Sequence, residues 1–403
     1  MISRDQEGVC AGQQRPESRI RVVQVISNLE FGGAQRQVIE LTNNMPAGEF
    51  DMHICSLSDY VPLGEQLREP HRLHLVTKKW KFDATVVPRL AALLKRLKAD
   101  IVHGYLFDAD IAARLAGAIA GVPVRISSER NTDYHIKRRQ LLAFNMTRRY
   151  VDLVLANSHA GAAFNSRMLG HPMSQYRVIH NGVDTVRFAP RDSLAMRAEL
   201  GVADGELLVG MFGSFKQQKN HPLLFEAART VLQHAPNTRF LFVGEMLYGG
   251  MHGSDEYCRR VHALVDELGI RDRCLFAGNR PDVDKLYPAC DVTVLPSLFE
   301  GTPNVVLESM ASGVPVVATD VSDNRFIIPD GKVGYVVPLH DAAVLADRIV
   351  AILRNPALRH NMSLAARQWA VTEFSTAALA GKTAQVYREA LSCKRGARAH
   401  GVS

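Results

Sequence analysis

Short β-branched apolar runs alternate with longer helical patterns along almost the whole 403-residue chain, and the alternation restarts once. That rhythm leaves few folds open, because strands separated by helices form parallel sheets covered on both faces. The first set of predicted strands is 19–27, 53–57, 73–76, 101–103, 124–128, 152–156 and 177–180. Helical patterns lie between them at 85–98, 110–120, 136–150 and 159–169, with another from about Ala34. A hinge-like segment follows at 181–190, beginning Asn181-Gly182-Val183-Asp184. The second set is 207–212, 239–243, 274–277, 292–295 and 314–318, with a short further candidate at 336–337. From 342 to 392 the pattern is almost all helical. The expected fold class is α/β, with two doubly wound domains and a cleft between them. Ligands of such sheets bind at the carboxyl ends of the strands. The expected divisions are a disordered lead-in at 1–19, a first domain at 20–187 and a second at 188–375. A terminal helix and tail, 376–403, is expected to return to the first domain.

Composition narrows the setting. At 47% hydrophobic and 22% charged residues, this is a soluble globular mix. No run of about eighteen uncharged apolar residues is present, so no spanning helix is expected. The first nineteen residues lack the apolar centre of a signal peptide. Six scattered cysteines form no Cys-x-x-Cys pair, which points to neither a zinc site nor a disulfide framework and suits a reducing cytoplasm. The charge is lopsided. Residues 1–190 carry 25 Lys and Arg against 18 Asp and Glu, whereas 191–403 carry 23 of each. The excess favours an anionic partner on the first half, such as a lipid head group, a membrane surface or a phosphate; a solvated basic surface is the plain alternative. The 136–149 stretch mixes basic and apolar residues at helical spacing, as a membrane-touching or an ordinary packed surface helix does. No nucleic acid is expected among the partners.

The segment Glu300-Gly301-Thr302-Pro303-Asn304-Val305-Val306-Leu307-Glu308 carries the chemistry. It joins a buried strand to a helix, and Pro303 suits the first turn of that helix. One carboxylate precedes the helix and the other lies inside it. Between them are free backbone N–H groups at a positive helix end, an arrangement that holds a diphosphate. One acid is then placed to face a reacting sugar and the other a ribose; a capped helix with two solvated glutamates is the plain alternative. Gly32-Gly33 lets the backbone approach an anion at a second helix start, although the dinucleotide pattern Gly-x-Gly-x-x-Gly is absent. Lys219, with Lys216 beside it, follows the first strand of the second domain, where a cation can neutralise a diphosphate leaving group. After the strand at 274–277, the backbone near Asn279 is placed to read a base edge and Arg280 to stack on the base. His103 and His180 end strands and face either the cleft or the core. Asp108-Ala109-Asp110 and Asp282-Val283-Asp284 match a metal–diphosphate pattern, but each opens a helix, where aspartates are ordinary caps. No metal and no bound cofactor are therefore expected.

Together these segments resemble the retaining glycosyltransferases of family 4, which have the GT-B architecture of two Rossmann-like domains. The resemblance runs in order through Gly32-Gly33, the 181–184 hinge, the 213–219 loop, Glu300 to Glu308 and the 313–318 strand entry. It implies transfer of a sugar from a nucleotide-diphosphate sugar, with anomeric configuration kept and no metal. It places Glu300 at the donor sugar, Glu308 on the ribose hydroxyls and Lys219 on the diphosphate. The implied acceptor is a glycan or lipid-linked molecule of surface polysaccharide or glycolipid synthesis. The implied location is cytoplasmic, peripheral on the inner membrane face. Two positions depart from the family pattern. Ser214 stands where the family loop carries an arginine, which leaves the phosphates to Lys219 and Lys216. Arg130 stands where a histidine often lies near the acceptor. A sugar-nucleotide 2-epimerase and an inactive nucleotide-sugar-binding relative are the alternatives, and donor turnover without acceptor would mark the first.

Overall fold

The computed structural model describes residues 19–30, 32–80, 83–130, 136–244 and 254–399. The lead-in expected at 1–19 lies outside them, save Arg19. The first half runs β1 (Ile20–Ile26), α1 (Gly33–Asn44), β2 (Phe50–Ser56), β3 (Leu73–Leu75), α2 (Val86–Leu97), β4 (Ile101–Tyr105), α3 (Phe107–Ala120), β5 (Val124–Glu129), α4 (Arg138–Thr147), β6 (Leu153–Ala156), α5 (His159–Leu169) and β7 (Tyr176–Val178). The second runs α6 (Leu194–Glu199), β8 (Leu207–Phe212), α7 (His221–His234), β9 (Thr238–Val243), α8 (Ser254–Glu267), β10 (Cys274–Gly278), α9 (Val283–Leu286), β11 (Val292–Leu295), α10 (Asn304–Ala311), β12 (Val316–Thr319), α11 (Asn324–Ile327) and β13 (Gly334–Val337). Three helices close the chain: α12 (Ala342–Arg354), α13 (Pro356–Phe374) and α14 (Thr376–Ala399).

Both sheets are wholly parallel, which explains why their central strands read as unbroken apolar runs rather than alternating ones. The seven-stranded sheet has the order β3-β2-β1-β4-β5-β6-β7 and the six-stranded one β10-β9-β8-β11-β12-β13. Each order reverses once, between β1 and β4 and between β8 and β11. A crevice opens at such a reversal, beyond the carboxyl ends of the strands. The loops that leave β1, β8 and β11 are the ones carrying Gly32-Gly33, Lys219 and Glu300.

The hinge and the end of α13 pair as extended backbone: Val183 N–H donates to Phe374 O at 2.7 Å and Thr376 N–H to Val183 O at 3.1 Å. From there α14 crosses back to the first sheet. Its Leu379, Ala380, Ala384, Tyr387 and Leu391 are buried with Val22, Leu41, Phe50 and Ile101. The chain therefore passes between the two halves twice, side by side, which confines their relative motion to a narrow hinge.

Candidate active site

A cleft of about 960 Å³ lies between the halves. Helix α1 contributes Arg36, Gln37 and Glu40, and the second half contributes Gly213, Ser214, Asn279, Arg280, Asn304, Val305 and Glu308. Two helix starts meet here. Gly32 precedes α1 and Pro303 precedes α10, and neither start receives a side-chain cap among the described residues. A side chain placed on Gly33 would come 3.5 Å from Asn304 Nδ2, so the two starts stand face to face. Two positive helix ends pointing into one narrow space form an anion site that neither half makes alone.

The two glutamates are held differently. Glu300 Oε1 accepts from Lys219 Nζ at 2.6 Å and from Ser297 Oγ at 2.7 Å. The Glu300 N–H donates to Ser322 Oγ at 3.1 Å, and that hydroxyl also donates to Glu300 O. Lys219 lies against Gly213 on the cleft wall, where a Cβ would meet its Cε at 3.2 Å. An ammonium has three donors, and Lys219 directs one to Glu300. Glu308 is buried, with Oε2 accepting from Tyr287 Oη at 2.8 Å and Oε1 3.7 Å from Arg36 Nη1. Burial raises its carboxyl above the ordinary glutamate range, with Tyr287 and then Arg36 pulling the other way. A ribose hydroxyl would find there a carboxylate already fixed in direction.

The remaining expected residues divide. Gly32, Gly33, Ser214, Gly301, Thr302, Pro303, Asn304 and Val305 all belong to the two facing helix starts or to the loops beside them. Lys216 is exposed on the turn before Lys219. Arg280 commits Nε and Nη2 to Asp282, at 2.8 Å twice, and Nη2 also to Glu199 at 2.8 Å, which leaves Nη1 and the guanidinium face to offer a base. His103 is a correction. It is fully buried, its Nδ1 2.8 Å from Tyr387 Oη and 3.1 Å from Tyr105 Oη, because α14 covers the sheet there. It therefore cannot meet an acceptor. Arg130 also turns inward, donating to Ser128 Oγ at 3.0 Å and Asn181 Oδ1 at 2.8 Å. The Asp-x-Asp pairs are split among cations: Asp108 with Lys78, Asp110 with Arg114, Asp282 with Arg280, and Asp284 with Arg187 and Arg191.

Sequence reading missed Arg36, Gln37 and Tyr287, which no local pattern marks. It also missed a tie across the halves. His180 Nε2 and His159 Nδ1 each lie 2.8 Å from Asp323 Oδ2, and the N–H groups of His159 and Ala160 also donate to this carboxylate. Burial opposes the charge on Asp323, but His180 and these donors outweigh it and hold its carboxyl down to about 2.

Two doubly wound domains, with two helix starts facing each other across the cleft between them, define a protein of the GT-B class. Comparison with known proteins agrees. Residues 31–187 match the model described as Glycosyltransferase Family 4, and residues 192–369 match that of Glycosyl transferases group 1. A UDP-Gal:alpha-D-GlcNAc-diphosphoundecaprenol alpha-1,3-galactosyltransferase of Escherichia coli is 27% identical over 356 residues, covering 83% of this chain and 88% of the relative. An N-acetyl-alpha-D-glucosaminyl L-malate synthase of Bacillus anthracis is 25% identical over 315 residues, covering 77% and 80%. The crystal structure of Anabaena Alr3699/HepE in complex with UDP superposes with a TM-score of 0.80 at 22% identity, covering 92% of this chain and 100% of that one. The chain belongs to the family 4 glycosyltransferases and is a glycosyltransferase of GT-B fold.

Proposed function

We propose that the enzyme moves a sugar, with retention of configuration and without a metal, from a nucleotide-diphosphate sugar to a glycan or lipid-linked acceptor of surface polysaccharide or glycolipid synthesis. The observation that carries this reading is the meeting of the α1 and α10 starts between Lys219 and Glu308. The diphosphate lies between the helix starts, with Lys219 as its cation. Charge growing on the leaving diphosphate is met by fixed dipoles and an ammonium, so a divalent ion is not required. Glu308 accepts from the ribose hydroxyls. Glu300, held by Lys219 and Ser297, faces the donor sugar. The uridine diphosphate named for the E. coli relative and the Anabaena structure supports UDP as the first donor base to try.

The acceptor is assigned to the first half. On α4 and the turn after it, Lys137, Arg138, Arg139, Arg148 and Arg149 are exposed, and so are Leu142 at 60% and Met146 at 68%. Apolar tips inside a basic surface suit a lipid-borne acceptor at an anionic membrane. None of the described helices is long and apolar enough to cross a membrane.

A thermal-shift panel of nucleoside diphosphates and nucleotide sugars, each with and without EDTA, tests the reading. A ligand at about a hundred times its dissociation constant adds roughly 2.7 kcal/mol. One nucleotide family should raise the melting point equally with and without EDTA. Stabilisation that disappears with EDTA and returns with magnesium or manganese would overturn the metal-free chemistry. Donor turnover with no acceptor present would point instead to a sugar-nucleotide 2-epimerase.

A further inference from the structure

Asn181 belongs to the hinge, yet it touches the donor site. Its side chain is 6% exposed and makes three hydrogen bonds. Oδ1 accepts from Arg130 Nη1 at 2.8 Å. Nδ2 donates to Thr302 O at 3.3 Å and to Asn304 Oδ1 at 2.8 Å. The sense of these bonds is forced by chemistry. A guanidinium only donates and a backbone carbonyl only accepts. Arg130 and Thr302 therefore fix the Asn181 amide in the same orientation from opposite sides. Asn304 must then turn its oxygen to Asn181, and its Nδ2 toward the Gly33 turn, 3.5 Å from where a Cβ on Gly33 would stand. Arg130 is itself fixed by Ser128 Oγ and lies 5.4 Å over the Tyr105 ring. No carboxylate among the described residues forms an ion pair with it, so it is free to polarise the relay.

We propose that Asn181 is a positioning residue for the donor: the relay Arg130–Asn181–Asn304 turns the Asn304 amide N–H groups toward the diphosphate. The inference rests on the diphosphate reading above and adds to it a polarity that the hinge imposes. It also gives the two halves a way to sense each other. Arg130 lies in the first half, Asn181 at the crossing and Asn304 in the second, so the N–H groups are aimed only when all three are in place.

Asn181→Asp tests this. The carboxylate still accepts from Arg130, but it can no longer donate to Asn304. The Asn304 amide flips, and its oxygen faces the diphosphate. Calorimetric titrations with UDP and with uridine read the outcome in wild type, Asn181→Asp, Asn304→Ala and the double variant. Asn181→Asp should weaken UDP binding roughly ten- to a hundredfold and uridine binding by less than about threefold. Asn304→Ala alone should likewise weaken UDP but not uridine, and this needs no change at the hinge. In the Asn304→Ala background, Asn181→Asp should cost UDP less than about threefold, because no amide remains to flip. An equal loss of UDP and uridine, the same cost in both backgrounds, or unchanged UDP binding by Asn181→Asp would overturn the proposal. A wild-type protein that binds no nucleoside diphosphate overturns the diphosphate reading itself, and this inference with it.

Discussion

At the scale of single residues, the site shows what burial does to a carboxylate. Glu308 is buried yet keeps two partners, Tyr287 and Arg36, so its raised carboxyl remains usable for binding. Glu308→Gln keeps an acceptor for Tyr287 and removes the charge. Its nucleotide dissociation constant should rise roughly ten- to a hundredfold, the worth of a hydrogen bond to a charged group. The melting point without ligand should not fall, since a buried charge is removed. Unchanged nucleotide affinity in calorimetry would refute the ribose role. Glu129 shows the opposite case. Burial pushes its carboxyl from 4.5 up to about 7, against hydrogen bonds from Asn165 and Tyr176, and its Oε2 has no hydrogen-bond partner among the described residues. The sign follows from proton counting. Below about pH 4.5 both folded and unfolded states hold the proton and there is no penalty. Between 4.5 and about 7 the unfolded state loses it first, so stability falls as pH rises. Above that range the penalty is complete, on the order of 3 kcal/mol. Glu129→Gln should therefore melt higher than wild type at pH 8 and alike at pH 4. A variant no more stable at pH 8 would show that Glu129 is already ionised at little cost.

At the scale of elements, the chemistry depends on how strand ends and helix starts abut. The turn after β8 is pressed against the end of β9. A Cβ on Gly244 would lie 2.0 Å from Gly213 O and 2.5 Å from Gly213 C, both backbone atoms that cannot swing aside. Gly244→Ala must displace the turn that leads to Lys219. It should cost about 1–3 kcal/mol of stability and more than tenfold in nucleotide affinity. A variant with wild-type melting point and affinity would mean that the strand end yields without moving the turn. The element scale also shows where periodicity succeeded. Parallel strands buried on both faces announce themselves as apolar runs, so β8, β9, β11 and β12 were legible to within two residues. The short helix α9 was marked only by its opening at Asp282, and α11 was not marked at all, because four residues carry no period.

At the scale of the whole molecule, the basic excess lies in the half that contains α4. The proposed membrane contact predicts co-sedimentation with liposomes that rises with anionic lipid and falls with salt. Each basic residue near an anionic surface is worth about 1 kcal/mol. Replacing Arg138, Arg139, Arg148 and Arg149 with Gln should abolish most of the binding, and replacing Leu142 and Met146 with Ser should weaken it even at low salt. Equal binding to neutral and anionic vesicles, or none to either, would assign the charge to ordinary surface and favour a soluble acceptor.

The sequence alone determined the α/β class, the restart that marks a second sheet and the loops that bear the chemistry. Each is a local signal: a run, a turn or a helix start within a few neighbours along the chain. The pairing of Lys219 with Glu300 spans 81 positions, and that of Asn181 with Asn304 spans 123. No local pattern encodes such distances. His103 illustrates the limit. As a strand-end histidine it reads the same whether it faces a cleft or a core, and only the return of α14, with Tyr387 284 positions away, settled which. Arg130 likewise reads as an acceptor contact until the hinge is folded beside it. Which side chains face the ligand depends on what else packs there, and only tertiary structure decides that.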